Sequence, residues 1–252
     1  MQNNDIDTNL TVLIRTLHPT KSEIEQCCNI TRSVCKEYGR SEEMINKYMI
    51  EQDMSDIEEN YLKLPRSHWW VAVTGEHIIG QVGLQPMSVG DRELYNKLAL
   101  DDSLRFYKDI HPDEICELRR MAVLSEYQNQ HIGRKLLQTL IDFARKQDYK
   151  VIHLTTGIVM NQACSFYERC GFKHGQMFRY TIDINELISK DKMSIAVDGK
   201  KIDKMTTFFG TPVVFNTLND LTDDDWEQIN QPKMILQMKS KYFYVQNFWM
   251  KL

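Results

Sequence analysis

The sequence predicts a mixed α/β fold on one sheet with a parallel portion, and three observations predict it. Two β-rich runs, residues 69–73 (WWVAV) and 78–84 (IIGQVGL), flank Thr74-Gly75-Glu76-His77, the pattern of an antiparallel hairpin. From residue 115 onward strand-like and helix-like runs alternate, which argues for parallel strands joined by helices. The run 133–146 is amphipathic, with Leu136, Leu137, Leu140, Ile141 and Ala144 recurring at helical spacing.

Taken in order, residues 11–17 (TVLIRTL) read as a first strand that Pro19 ends. Residues 20–38 read as a helix, with Thr20 or Ser22 as N-cap and Gly39 as its stop. Ser41 opens a second helical stretch whose first turn carries Glu42 and Glu43, charges that suit the positive end of a helix. Pro65 closes it, and the hairpin follows. Residues 87–112 are polar, with Gly90, Asp101, Asp102 and Asp109; they are expected to be an insertion, in part helical over 91–107.

Residues 115–124 (ICELRRMAVL) form a strand with Glu117, Arg119, Met121 and Val123 on one face and Leu118, Arg120, Ala122 and Leu124 on the other. A polar turn over 125–131 leads into the amphipathic helix. Residues 151–156 (VIHLTT) are a strand. Residues 161–170 are a helix that stops at Gly171, the C′ position where glycine is favoured, and 172–183 are a strand. In the last part, 190–204 is charged and turn-rich, 207–215 and 242–249 are aromatic and strand-like, and 221–229 reads as a short capped helix. Too many aromatics stand there for disorder. The expected organisation is a polar tail over 1–9, a domain over 10–185, and an extension over 186–252 that packs on the domain or extends its sheet.

Composition removes several classes. The formal net charge is -4, which gives no basic footprint for nucleic acid. No apolar run approaches the roughly 20 residues of a membrane span. The polar start lacks a secretory pattern, so a reducing, cytoplasmic location is expected. Cys27, Cys28, Cys35, Cys116, Cys164 and Cys170 form no Cys-x-x-Cys pair and are read as thiols filling the core. The seven histidines show no metal-ligand spacing, and neither a Gly-Lys-Ser/Thr phosphate loop nor a Gly-x-Ser-x-Gly elbow occurs. No metal is expected.

The informative run is ELRRMAVLSEYQNQHIG, residues 117–133, followed by RKLLQTLIDFA. A strand enters a polar loop that opens directly into a helix, so backbone N–H groups converge at a positive helix end, with Arg134 and Lys135 at the rim. A pyrophosphate suits such a place. Gln128-Asn129-Gln130-His131-Ile132-Gly133 resembles the coenzyme-A loop, Gln/Arg-x-x-Gly-x-Gly/Ala, of the GCN5-related N-acetyltransferase (GNAT) superfamily. Residues 161–172 (NQACSFYERCGF) resemble its second signature, in which an Asn-x-x-Ala helix ends in Tyr-x-x-x-Gly-Phe. Two signatures in order, with a strand between them, are more specific than either alone. The likeness covers residues 10–183. It departs at His131, which stands at the first glycine; histidine is among the residues less averse to positive φ, and a side chain is tolerable there if it points outward.

The resemblance implies a mostly antiparallel sheet with a parallel pair splayed around acetyl-CoA and helices on both faces. It implies acetyl-CoA as cosubstrate and a primary amine, on a small molecule or a protein, as acceptor. Backbone groups of Met121, Ala122 and Val123 would pair with pantetheine. Those of Gln128, Asn129, Gln130, His131, Ile132, Gly133 and Arg134 would hold the pyrophosphate. Asn161 would bond the pantetheine arm, Tyr167 would act as general acid, and Glu117, six residues before Val123, as general base. Outside that role Asn161 is an N-cap candidate, Tyr167 a core aromatic, and Glu117 an ion-pair partner for Arg119 or Arg120. Within the superfamily, Leu154-Thr155-Thr156 and the Ala-Cys-x-x-Tyr-Glu-Arg helix look most like the camello and cysteine-conjugate acetyltransferase group, without that group's transmembrane segment. The alternative is a non-catalytic acyl-CoA-binding or scaffolding module. Neither the acceptor nor the oligomeric state is legible.

Overall fold

The computed structural model describes residues 11–87, 110–181, 212–230 and 242–252. The expected insertion helix over 91–107, the charged run 190–204 and the start of the strand expected over 207–215 lie outside them. The strands are β1 (Leu13–Thr16), β2 (His68–Thr74), β3 (His77–Pro86), β4 (Ile115–Val123), β5 (Val151–Gly157), β6 (Lys173–Thr181), β7 (Val213–Phe215) and β8 (Tyr242–Lys251). The helices are α1 (Lys21–Glu37), α2 (Glu42–Ile45), α3 (Ile132–Lys146), α4 (Asn161–Arg169) and α5 (Asp223–Ile229). Strand order is β1-β2-β3-β4-β5-β8-β6-β7. β4 and β5 run parallel, while β1–β2, β2–β3, β5–β8, β8–β6 and β6–β7 run antiparallel, as a mixed sheet requires. The chain packs as two units, one drawn from Met1–Glu37, Ser41–Gln85 and Leu118–Phe143, the other from Tyr38–Arg40, Pro86–Glu117 and Ala144–Leu252.

In the first unit, α1 starts at Lys21 because Thr20, rather than Ser22, accepts the Glu23 N–H at 3.3 Å. Its inner face buries Cys27, Cys28, Ile30 and Thr31, and the first three pack with Tyr61, Trp69, Val71 and Ile78. Ser41 caps α2 through the Met44 N–H at 3.3 Å. The helix expected from Ser41 is then replaced by π-helical turns at Asn46–Ile50 and Glu58–Leu62. The β2–β3 hairpin turns at Gly75, whose φ of +56° suits the first position of a primed hairpin turn. α3 buries Leu136, Leu137, Leu140 and Ile141, the stripe its sequence predicts.

In the second unit, Ile115, Cys116 and Glu117 pair with Val151, Ile152 and His153. β8 lies between β5 and β6 and pairs with both along most of its length. α5 begins at a capping box in which Thr222 and Asp225 exchange bonds. Asp225 is buried and also accepts from the Tyr244 hydroxyl at 2.7 Å and from Arg179. Among the described residues no disulfide forms, and Cys27, Cys28, Cys35 and Cys116 are buried. No helix among them is long and apolar enough to cross a membrane.

Candidate active site

β4 does not alternate as its sequence suggests. Arg120 has φ +53°, a left-handed residue inside a strand, so the two faces drawn for residues 117–124 do not continue through it. The cause is tertiary. The Arg120 Nε lies 3.0 and 3.1 Å from the two oxygens of Asp53, its Nη2 adds a further bond, and the Tyr61 hydroxyl donates to the same carboxylate. Asp53 is only 2% exposed. Burial alone raises its carboxyl, but the Arg120 guanidinium outweighs this and holds it well below the usual carboxylate range. Arg120 therefore serves Asp53.

The loop after β4 is tied down before it reaches the helix. Leu124 N–H donates to the Ile79 carbonyl at 3.0 Å, and the Gln128 side-chain amide donates to the Val123 carbonyl at 3.0 Å. Asn129 and His131 both have φ +60°. His131 is exposed, so it adopts the glycine-like backbone its position demands while its ring faces water. The first α3 bond runs from Lys135 N–H to the His131 carbonyl at 3.0 Å, which places the N–H groups of Ile132, Gly133 and Arg134 ahead of the intrahelical ladder. Ile132 is buried and anchors that turn. The result is a preset cradle of backbone donors at a helix N-terminus.

In the second unit, Glu117 is 8% exposed and its Oε1 lies 2.9 Å from Nδ1 of His153. The His153 ring is sealed at 0% exposure, its Nε2 is 3.1 Å from Oδ1 of Asn247, and it packs on Trp249 with ring centroids 4.1 Å apart. The register explains the meeting: Glu117 stands beside His153 on β4 and β5, and His153 beside Trp249 on β8. The sequence reading missed both His153 and Asn247. Only the insertion of β8 next to β5 brings residue 247 to residue 153, and no local pattern announces that.

Tyr167 is held by the end of its own helix. Gly171, φ +94°, donates to the Glu168 carbonyl at 3.0 Å and Phe172 to the Tyr167 carbonyl at 3.1 Å, the paired bonds of a Schellman motif. The Tyr167 and Phe172 rings make the hydrophobic contact that goes with it, at 5.5 Å. Tyr167 also packs on Phe248, 5.9 Å away. Since β8 side chains alternate, Phe248 points away from the face that carries Asn247 and Trp249. Glu117 thus reaches β5 and β8 through His153 and Asn247, whereas Tyr167 meets β8 at Phe248. Burial, with smaller contributions from Cys164 and Cys170, pushes the Tyr167 phenol well above its usual range, so it keeps its proton at neutral pH. Asn161 is exposed at the first position of α4; Met160, not Asn161, occupies the N-cap.

Residues 32–172, more than half of the chain, match the acetyltransferase (GNAT) family. The chain is 32% identical over 128 residues to the probable N-acetyltransferase camello of Xenopus tropicalis, covering 51% of this chain and 48% of that protein. It is 34% identical over 127 residues to human N-acetyltransferase 8, covering 50% and 48%, and 31% identical over 166 residues to the N-acetylaspartate synthetase of Xenopus tropicalis, covering 65% and 53%. The chain spans about half the length of these curated relatives. Its fold is similar to a GNAT acetyltransferase from Streptococcus pneumoniae, with a TM-score of 0.53 and 12% identity over 96% of this chain and 100% of that one. An acetyltransferase from Salmonella typhimurium, solved with acetyl-CoA, gives a TM-score of 0.51 and 12% identity over 96% and 94%.

Proposed function

The chain belongs to the acetyltransferase (GNAT) family, and from that premise we propose that it moves an acetyl group from acetyl-CoA to a small or amino-acid-like primary amine by direct attack. The observation that carries the reading is the loop from β4 into α3. Left-handed Asn129 and His131 turn the backbone so that the amides of Ile132, Gly133 and Arg134 open the helix, a cradle for pyrophosphate. Gln128 supports the loop from behind through Val123. The amino-acid-like acceptor is suggested by the relative named N-acetylaspartate synthetase.

Acetyl-CoA would supply the activated acyl group; the side chains manage two protons. An amine attacks only as the free base, yet most amines are protonated at neutral pH. Glu117, buried but not sealed, accepts the proton that nitrogen loses as the C–N bond forms. Tyr167 keeps its proton and offers it to the sulfur as the C–S bond breaks. Before transfer is complete, the phenol O–H can also donate a hydrogen bond to the developing thiolate. In this reading backbone donors of Met121 to Val123 align the pantetheine arm, and Asn161 bonds it.

Glu117→Gln keeps the side-chain shape and removes the proton acceptor. Turnover at neutral pH should fall by about 10²-fold or more, and the acidic limb of the pH–rate profile should flatten, with coenzyme-A affinity unchanged by calorimetry. A variant with the wild-type rate and profile would remove Glu117 from the reaction.

A further inference from the structure

We propose that His153 is a positioning residue which shares one proton with Glu117, and that Asn247 holds it in the tautomer that makes this so. The inference rests on the reading of Glu117 as base and makes that base a two-residue unit. The Asn247 amide is oriented independently, because its Nδ2 donates to the Gln176 carbonyl at 2.7 Å. Its Oδ1 therefore faces His153 Nε2, 3.1 Å away, and an oxygen there can only accept. Nε2 must carry a hydrogen.

Nδ1 then faces Glu117 Oε1 at 2.9 Å without a hydrogen of its own, and the first proton the pair takes up lies between them, on the nitrogen or on the oxygen. Before it arrives, the imidazole lone pair and the carboxylate confront each other, with the ring fully buried. In an unconstrained pair the ring would move its hydrogen from Nε2 to Nδ1 and relieve the clash. Here that move would set a bare Nε2 against Oδ1 of Asn247. The tilted Trp249 ring packed against it restrains the imidazole as well. The unprotonated pair is thus a stronger acceptor than a lone carboxylate. From β4, Glu117 faces the ring. From β8 the facing groups are Asn247 and Trp249, which do not titrate, and β6 enters through the Gln176 carbonyl.

In turnover, the proton released by the attacking nitrogen passes to Glu117 and is retained in the Oε1–Nδ1 hydrogen bond. It returns to solvent before the next amine is served. The pair gains one proton and loses one, and no redox partner is needed. Asn247 comes from the last strand of the chain, so β8 contributes to the tuning of the base as well as to the sheet.

The first test is nitrogen NMR of the His153 ring in the full chain carrying isotope-labelled histidine, assigned by the signal lost in His153→Gln. The expected wild-type ring keeps Nε2 protonated across the titration, while Nδ1 changes state in one step that moves to lower pH, or vanishes, in Glu117→Gln. A ring protonated at Nδ1 and bare at Nε2, or a step unmoved in Glu117→Gln, overturns the proposal. The second test is kinetic. His153→Gln should shift the acidic limb of kcat/KM down by about one pH unit or more, because a lone carboxylate holds its proton less tightly, with coenzyme-A affinity unchanged. A limb at the wild-type position overturns the proposal. If His153→Gln does not fold, Asn247→Asp serves instead and should move the limb upward, since a negative charge beside Nε2 retains the proton. A Glu117→Gln variant with wild-type kinetics would sink the base assignment alone, and the ring spectrum would still decide the shared proton.

Discussion

Tyr167 and His131 show how a residue's role is set by the backbone that presents it. Tyr167 is third from the end of α4, and the Schellman bonds of Gly171 and Phe172 fix both its carbonyl and its ring. Tyr167→Phe keeps that packing and removes only the hydroxyl. Turnover should fall by about 10²–10⁴-fold, with melting temperature and coenzyme-A affinity close to wild type. Full activity would assign the thiolate's proton to solvent or substrate. Both positions were legible in the sequence: the glycine after the helix signalled Tyr167's setting, and histidine's tolerance of positive φ anticipated His131. Arg120 was not legible. Its left-handed backbone follows from a partner 67 residues earlier in the chain, and strand alternation alone could not foresee it.

At the scale of elements, the strand–loop–helix from β4 into α3 carries the cofactor reading. Gly133 sits in the first turn of α3, where its N–H precedes the helical ladder. Gly133→Asp places a carboxylate at the proposed pyrophosphate cradle. Coenzyme-A affinity, measured by calorimetry, should weaken by roughly tenfold or more, about 1.4 kcal/mol. Unchanged affinity in a folded variant would mean the loop binds nothing anionic. The clasp between the π-helical region and β4 makes a separate prediction. Asp53→Asn leaves the Arg120 guanidinium without its counter-charge and should cost about 3–5 kcal/mol, read by denaturant unfolding. A loss below about 1 kcal/mol would show that water reaches the pair. The loop could be read because its donors are local in sequence. The clasp could not, because the turn that carries Asp53 and the π-helical segment that carries Tyr61 have no distinct sequence pattern.

Across the whole molecule, the C-terminal stretch is where sequence reasoning stopped and topology took over. Aromatic, strand-like residues 242–249 were visible, but nothing local says that they enter between β5 and β6 rather than at an edge. Once there, β8 supplies Asn247 to His153 and Tyr244 to Asp225. Desolvation alone would raise the Asp225 carboxyl; bonds from Thr222, Tyr244 and Arg179 overcome it and lower the group to about 2. A depressed carboxyl adds stability that is complete above the ordinary aspartate value of about 4 and is lost as pH falls toward 2. Asp225→Asn should therefore lower stability by on the order of 2 kcal/mol at neutral pH and much less near pH 2. An equal loss at both pH values would show that shape, not charge, matters there.

The central claim is acetyl transfer to an amine. Its most direct test is thiol release from acetyl-CoA by the purified full chain across a panel of primary amines, amino acids included, with each product identified by mass spectrometry. The account predicts release that requires an amine, yields the matching N-acetyl product, and collapses in Tyr167→Phe. Tight binding of coenzyme A with no amine-dependent release would contradict it and leave a chain that binds acyl-CoA without transferring its acyl group.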